Sequence, residues 1–435
     1  MTFSYRQPCF FRIFKGLLTF SLALCIGQQA VAVPSEASAR DISTLTLDEL
    51  IDFASQHNAL YQAAKANMEI ARAELITAGL FPNPQFLYQQ AFIGGAPNSE
   101  AGSTEYAPGL SWEIDWAGKR GLREKVAQKG LHAERLHFTN FDRLFKKEIR
   151  QTYRTYLLLA ELKQLKKEFL TQYEALLERS KIRAKSGDIS GLEYDRLELE
   201  RIFYETDFRS TELQFLQVCQ QLRRFLGLSP SEEPLILAGK LVFIPLDELK
   251  VPSKTFSPDK RPDLLALQAR ADQAQSEEIL KRREVLPSLN LGTEYRKKGT
   301  EGYFGISASI PLPIFNRNQG EILRSEETAS KYRFEAEARR LEISSEIALQ
   351  ISSLKTREET LKNYEKMGLL KKNKLVAERS RFAYLKKAFP FVAFLESQRN
   401  YLAVLKNYLE QLHLYYISID ELAAATAEVG ENVAN

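Results

Sequence analysis

The chain has 435 residues, of which 44% are hydrophobic and 27% are charged, and its formal net charge is +4. These values are ordinary for folded proteins and exclude a disordered chain, and the length suffices for two or three globular domains. Lys and Arg nearly balance Asp and Glu, so the charge gives no reason to expect nucleic acid as a partner.

The first 32 residues have the pattern of a secretory signal peptide. Arg6, Arg12 and Lys15 precede an apolar run over residues 16–27, and Ala30-Val31-Ala32 supplies small residues typical of a cleavage site. The run is too short for the ~20 residues that a membrane-spanning helix needs. We therefore expect export and a mature chain close to electrical neutrality.

Export limits the remaining possibilities. Cys9 and Cys25 fall within the signal, so Cys219 is the one cysteine of the mature chain and no intrachain disulfide is expected. Lipid attachment at Cys25 is an alternative, although Leu24 is larger than the residue that usually precedes a lipidated cysteine. After residue 32 no apolar stretch reaches 18 residues. That excludes spanning helices and leaves soluble exported proteins or proteins that cross a membrane as a β-barrel.

The mature chain begins with a predicted helix and a β-hairpin. Thr46 and Glu49 have the capping-box spacing, and the helix is predicted to run to about Leu80, where Phe81-Pro82-Asn83-Pro84 ends it. Residues 85–92 and 104–116 then alternate as two strands around a loop at 94–103. In the second strand one face carries Tyr106, Leu110, Trp112, Ile114 and Trp116, and the other carries Glu105, Gly109, Ser111, Glu113 and Asp115.

A very long helix follows this hairpin directly. From Lys119 to Ser186 apolar residues recur at three- and four-residue steps, which predicts a helix of about 100 Å that needs partner helices of similar length. Residues 186–191 interrupt the pattern, and a returning helix is predicted from Leu192 to about Leu226.

The second half repeats this order of elements. After a Pro-rich connector, a helix opens at Pro262, two strands alternate near 288–297 and 303–312, and a helix is predicted from about Gln319 to Lys386 with a return to Thr426. We divide the chain into a signal peptide (1–32), a first repeat (33–228), a connector (229–262), a second repeat (263–428) and a C-terminal tail (429–435).

The four strands have two different surroundings. Their aromatic face and their Ser, Gly, Gln and Glu face match an outer-membrane wall around water, and ten to thirteen residues suffice to span a bilayer as a tilted strand. Four strands cannot close a barrel, and open edges cannot face lipid, so several chains are expected to share one barrel. The alternative is a soluble protein whose hairpins cap a helical bundle.

The order of elements and three motifs resemble one known family. Gly118-Lys119-Arg120 follows the second strand, Pro311-Leu312-Pro313-Ile314-Phe315-Asn316-Arg317-Asn318-Gln319-Gly320 follows the fourth, and Arg261-Pro262-Asp263-Leu264 follows the connector. Together they resemble the TolC-type outer-membrane efflux channels, and most closely their heavy-metal branch.

This resemblance implies a mostly α fold with a small β part. It implies a homotrimer with a long antiparallel helical coiled-coil barrel in the periplasm and a 12-stranded β-barrel, four strands per chain, in the lipid of the outer membrane. The expected function is that of a passive exit duct, joined to a periplasmic membrane-fusion adaptor and an inner-membrane pump of the RND type. Metal cations or small toxic compounds are the implied cargo, and no cofactor is implied.

The resemblance also assigns roles at the tips of the two helical hairpins. Arg183, Gly187, Glu193 and Tyr384 match the family's tip arginine, tip glycine, gate acid and gate tyrosine, and Glu396 matches an entrance acid; the periplasmic gate would comprise Glu193, Tyr384 and Glu396. Lys387 replaces a usual glycine and Ala393 replaces an acid, so a less acidic constriction is expected. The adaptor-contact tips would comprise Arg183, Lys185, Gly187, Asp188, Lys386, Lys387 and Phe389.

Four acids are predicted to face the barrel lumen and to favour cations: Glu105, Glu113, Asp115 and Glu294. Two other functions stay open, an exit channel for secreted polypeptide and a periplasmic coiled-coil protein without a pore. The four histidines, His57, His132, His137 and His413, show no metal-ligand spacing, and no phosphate-binding or nucleophile motif occurs. Nothing in the sequence indicates an enzyme.

Overall fold

The computed structural model describes residues 45–92, 104–249, 258–298 and 300–426. The predicted signal peptide and C-terminal tail lie outside these residues, as does the loop at 94–103. The helices are α1 (Leu47–His57), α2 (Ala59–Ala78), α3 (Lys119–Lys185), α4 (Gly191–Phe225), α5 (Pro262–Glu284), α6 (Gln319–Lys366), α7 (Leu369–Leu385) and α8 (Phe391–Thr426). The strands are β1 (Gln85–Phe92), β2 (Thr104–Ile114), β3 (Leu289–Lys298) and β4 (Glu301–Ser309).

The first helix begins as predicted but is divided in two. Thr46 and Glu49 form the capping box of α1. At Asn58 the backbone becomes extended, and the Asn58 side chain accepts a hydrogen bond from the Tyr61 N–H at 3.0 Å to start α2. The same amide group donates to the Arg224 and Phe225 carbonyls at the end of α4. At the break between α1 and α2, Asn58 therefore binds the end of the first helical hairpin. The local sequence pattern does not indicate this long-range contact.

The four strands form one antiparallel sheet in the order β1-β2-β3-β4, which confirms the predicted hairpins. Trp112 pairs with Leu291, and Leu291 pairs with Ala308, so the apolar positions of successive strands lie on one face. Ser111, Gly292 and Ser307 pair in the same way on the opposite face. Exposed large side chains cover the first face: Phe86, Tyr88, Phe92, Tyr106, Leu110, Trp112, Ile114, Tyr295, Phe304 and Ile306.

The two long predicted helices differ in the structure. The helix α3 is continuous over 67 residues, as its periodic pattern predicts. The prediction of one helix from Gln319 to Lys386 is wrong, because Gly368 adopts φ 59° and separates α6 from α7. A single glycine supplies the left-handed conformation that ends a helix at little steric cost.

No helix in the described part of the chain has the length and apolar content needed to cross a membrane.

The connector between the repeats is part of the largest hydrophobic core. Leu235, Leu237, Leu241 and Phe243 are buried there among side chains of α3, α4 and α8. Because residues 235–244 form no regular secondary structure, their carbonyl groups need other donors. Four tyrosine hydroxyls supply them: Tyr156 to Leu235, Tyr153 to Ala238, Tyr416 to Val242 and Tyr415 to Ile244.

A cluster of charges around the buried Arg261 joins the start of α5 to α6. Arg261 is only 1% exposed and donates to both carboxylate oxygens of Asp263 at 3.0 and 3.1 Å. It also donates to Glu346 of α6 at 2.8 Å, and Arg339 donates to Asp263 at 2.9 Å. These charges are paired and hydrogen-bonded, which is the condition for burying them.

A second buried group of ionisable residues lies between α3 and α8. Burial raises the pKa of Asp420 to about 6 although Arg154 lies nearby, so its contribution to stability is present in acid and is lost as the pH rises through about 6. Burial, Arg154 and Arg357 lower the pKa of His413 to about 4, so its contribution is present above the unfolded value and is lost as the pH falls through about 4. As the pH falls, Asp420 therefore raises the stability of the fold and His413 lowers it.

Candidate functional site

The turns at the ends of the two helical hairpins have the same backbone geometry. The Gly187 and Asp188 amides donate to the Ala184 and Arg183 carbonyls, and the Lys387 and Ala388 amides donate to the Tyr384 and Ala383 carbonyls in the same way. This pair of bonds is a Schellman motif, which needs a left-handed residue. Gly187 occupies that position with φ 76°, and Lys387 occupies it with φ 60°. Lys387 therefore has the left-handed backbone conformation that Gly187 has in the first turn.

The two turns lie beside each other and are joined by an ion pair. The Lys387 Nζ lies 2.9 Å from Asp188 Oδ1, and the Arg183 Nε lies 4.0 Å from Asp188 Oδ2. The hydrogen bond and charge of Lys387 hold the pKa of Asp188 below its ordinary value, with a smaller effect from Arg183. Both members of the Lys387–Asp188 pair are well exposed, so water screens this contact.

A more protected contact lies one turn above. Tyr384, in the last turn of α7, is 3% exposed and stacks on Phe394 of α8 with ring centroids 4.6 Å apart. Its hydroxyl donates to Glu193 Oε1 in the first turn of α4 at 2.7 Å. Burial, and then this hydrogen bond to a carboxylate, raise the pKa of the tyrosine. The Arg183 guanidinium lies 5.5 Å from the same ring.

The structure therefore brings together Arg183, Asp188, Glu193, Tyr384 and Lys387. Glu396 is exposed on α8, outside the hydrogen bond that joins Tyr384 to Glu193. Among the other predicted tip residues, Lys185 and Lys386 are exposed. Phe389 is partly buried against the hydrophobic core that α3, α4, α7 and α8 form near the tips, which we call the lower core.

Two further links between the hairpins have no sequence signal. Arg399 of α8 pairs with Glu200 of α4, and Arg381 of α7 donates to Gln172 of α3 at 3.0 Å. The partners in each link are about two hundred residues apart in the chain, so only the packing of one hairpin on the other brings them together.

The predicted lumen acids fall into two groups. Glu105, Glu113 and Glu294 lie on the polar face of the sheet, by the register of β2 and β3. Asp115 lies beyond the end of β2, where its carboxylate accepts hydrogen bonds from the Lys119 and Arg120 amides at 3.3 and 2.8 Å and so caps α3. In the described residues, no three His, Cys, Asp or Glu side chains lie together as potential metal ligands.

Known proteins share this architecture. The family described as outer membrane efflux protein matches residues 258–428. The pyoverdine export outer membrane protein OpmQ of Pseudomonas putida is 27% identical over 314 residues, which span 67% of this chain and 66% of that protein.

Two solved structures show the same fold. The Campylobacter jejuni CmeC outer membrane channel has a TM-score of 0.77 and 18% identity, with 89% of this chain and 87% of that chain covered. The Neisseria gonorrhoeae MtrE outer membrane channel, in its open state, has a TM-score of 0.70 and 18% identity, with 87% and 88% covered. The duplicated order of elements and the single four-stranded sheet of the described residues agree with these likenesses: residues 258–428 match the outer membrane efflux protein family, and the chain has the fold of the solved outer membrane channels.

Proposed function

We propose that this chain is the outer-membrane channel of a tripartite efflux system. Its sheet lies in the outer membrane, its helices extend as a tunnel into the periplasm, and an adaptor and an inner-membrane pump supply substrate selection and energy. The observation that carries this proposal is the division of one sheet into an apolar and a polar face, continued into helical hairpins of which the first contains a helix of 67 residues.

The sheet cannot span a membrane as a single chain. β1 and β4 are its outer strands, and unpaired backbone groups at such edges cannot face lipid. Because β1 and β4 run in opposite directions, β4 of one copy can pair antiparallel with β1 of the next. Three copies would close a 12-stranded barrel, the assembly that the family resemblance implies, with the apolar face outward.

The hairpin tips are proposed to be the periplasmic gate and the adaptor contact. The Tyr384–Glu193 hydrogen bond and the Lys387–Asp188 ion pair join the second hairpin to the first, so separating the hairpins requires that both contacts break. The exposed turn residues Lys185, Gly187 and Lys386 are left accessible to an adaptor. Glu396 is proposed to contribute charge at the entrance.

Neighbouring residues on β2 test the membrane assignment. In a Cys219→Ser background, Ser111→Cys should react with a charged, membrane-impermeant thiol reagent, whereas Trp112→Cys should resist it. Native electrophoresis and electron microscopy of detergent-extracted protein should show a trimer. Equal labelling at the two positions, or recovery of a monomer in the soluble periplasmic fraction, would favour the pore-free coiled-coil protein instead.

The cargo is proposed to be a small solute delivered by the pump, a class that includes metal cations and small toxic compounds. OpmQ is named for export of pyoverdine, which also belongs among small solutes. A strain lacking this chain should become sensitive to the cargo, so growth on graded metal salts and on small toxic compounds separates the two classes. Loss of a secreted polypeptide without any such sensitivity would indicate a protein-secretion channel.

A further inference from the structure

An arginine lies between two acids on the polar face of the sheet. Arg296 of β3 places Nη1 3.2 Å from Glu105 Oε1 on β2 and Nη2 3.0 Å from Glu294 Oε1 on its own strand. One guanidinium therefore contacts two of the four acids that the register places on this face. Glu113 lies farther along β2, opposite Asn290, and Glu301 of β4 lies opposite Lys298, which carries a second positive charge on this face.

Glycines on both sides of β3 make room for this cluster. Glu294 pairs with Gly109 on β2 and with Gly305 on β4. A Cβ at Gly109 would lie 2.7 Å from the Thr293 carbonyl oxygen and 3.4 Å from Glu294 Cβ, and a Cβ at Gly305 would lie 3.3 Å from Glu294 Cγ. Because both neighbours lack side chains, the Glu294 and Arg296 side chains can lie along the sheet and meet.

The pairing changes the charge that this face presents. Glu105, Glu294 and Arg296 together carry one net negative charge, whereas the two acids alone would carry two. If the face lines a water-filled lumen, each copy contributes one such cluster, so the wall is less negative than its acids suggest. An ion in the lumen responds to this net charge because the cluster is smaller than the screening length, ~10 Å at moderate salt.

We propose that Arg296 sets the charge selectivity of the barrel by compensating Glu105 and Glu294, so that the barrel discriminates only weakly between small cations and anions. This proposal rests on the proposed channel function and refines it. It modifies the expectation that the lumen acids by themselves favour cations, and it leaves Glu113 outside the cluster that Arg296 compensates.

The direct test is Arg296→Gln in planar bilayers, with the permeability ratio of K⁺ to Cl⁻ obtained from the reversal potential in a KCl gradient. A wall charge ~8 Å from an ion in water changes the ion's local concentration about twofold, in opposite senses for the two ions. The ratio should therefore rise about fourfold in the variant. Arg296→Lys, which keeps the charge, should stay near the wild-type ratio.

Lys297→Gln is the matched control. Lys297 is the next residue of β3 and loses the same charge, but it pairs with Tyr106 on the apolar face, so the ratio should not change. The double variant Glu105→Gln with Glu294→Gln leaves Arg296 uncompensated and should shift the ratio toward Cl⁻. It gives an independent result of opposite sign if Arg296→Gln fails to assemble.

The outcomes separate the two proposals. A wild-type protein that inserts but conducts no ions would contradict the channel function. A conducting wild type whose ratio is the same in Arg296→Gln, or in the double acid variant, would overturn the role of Arg296 alone. An equal shift in Lys297→Gln would also overturn it, because the effect would then not depend on the polar face.

Discussion

The hydroxyl of Tyr384 is the most sharply testable part of the proposed gate. Tyr384→Phe removes one oxygen and keeps the ring that stacks on Phe394. The lower core formed by α3, α4, α7 and α8 should therefore stay packed. What is lost is the 2.7 Å hydrogen bond to Glu193, one of the contacts that join the second hairpin to the first.

The size of the effect follows from the partners of this bond. A hydrogen bond to a charged group contributes about 1.5–3 kcal/mol. Glu193 is half-buried and can be rehydrated after the substitution, so we expect the lower limit, about 1.5 kcal/mol per chain. Since 1.4 kcal/mol is a factor of ten, the ratio of open to closed hairpins should rise about tenfold in each chain.

Single-channel recording in planar bilayers measures this ratio as the fraction of time spent in high-conductance states. Tyr204→Phe is the matched control, because its buried hydroxyl has no hydrogen-bond partner in the described structure and its removal should leave the recordings unchanged. Lys387→Gln should have a smaller effect, because an exposed pair contributes about 0.2–1 kcal/mol. Unaltered gating in Tyr384→Phe, or a larger effect of Lys387→Gln, would refute this reasoning.

Three further predictions concern stability. Arg261→Met leaves the largely buried Asp263 carboxylate short of a partner and should lower the free energy of unfolding by about 3 kcal/mol. Arg340→Met removes an exposed pair, with side chains 59% and 52% exposed, and should cost less than about 1 kcal/mol; thermal unfolding in detergent ranks the two variants, and equal midpoints would contradict the difference. Between pH 7 and 4, the free energy of unfolding of Asp420→Asn should fall by about 2 kcal/mol relative to wild type, and that of His413→Gln should rise by about 3 kcal/mol; denaturant unfolding measures both, and unchanged pH slopes would contradict them. Gly368→Ala should cost about 1 kcal/mol by the same thermal assay, since its φ of 59° disfavours a Cβ although no atom obstructs one, and an unchanged midpoint would show that the break is not needed.

The sequence predicts the regular part of the fold well. The apolar period of α3, the alternation of β2 and the proline at the start of α5 are local signals, and the corresponding elements are present. The breaks at Asn58 and Gly368 were not predicted, because one polar or small residue in a long periodic pattern does not by itself end a helix. Asn58 ends α1 partly through its bonds to the end of α4, a contact that depends on tertiary packing.

The candidate site was predicted only as a set of residues. The resemblance pointed to Tyr384 and Glu193, but not to a hydrogen bond between them, because the register of one hairpin against the other comes from packing rather than from local pattern. The same holds for Arg296, whose pairing with Glu105 depends on the alignment of β3 with β2. The alternation of a strand shows from the sequence alone which face of the sheet carries a charged residue. Whether a charge on the neighbouring strand compensates it can be decided only when the register of the sheet is known.

At two positions where the first repeat has a glycine with positive φ, the second repeat has a residue with a side chain. Gly118 and Asn318 precede α3 and α6, Gly187 and Lys387 turn the hairpins, and all four residues have positive φ. A residue with a Cβ costs ~1 kcal/mol or more there, least for asparagine. Asn318 donates from Nδ2 to the Lys281 carbonyl at 2.9 Å, and Lys387 pairs with Asp188 at 2.9 Å. Both contacts need a side chain. Each therefore offsets part of the free-energy cost of the left-handed conformation and connects its position to another helix or hairpin. At the tip, that element is the first hairpin, so replacing a glycine adds a contact that must break when the proposed gate opens.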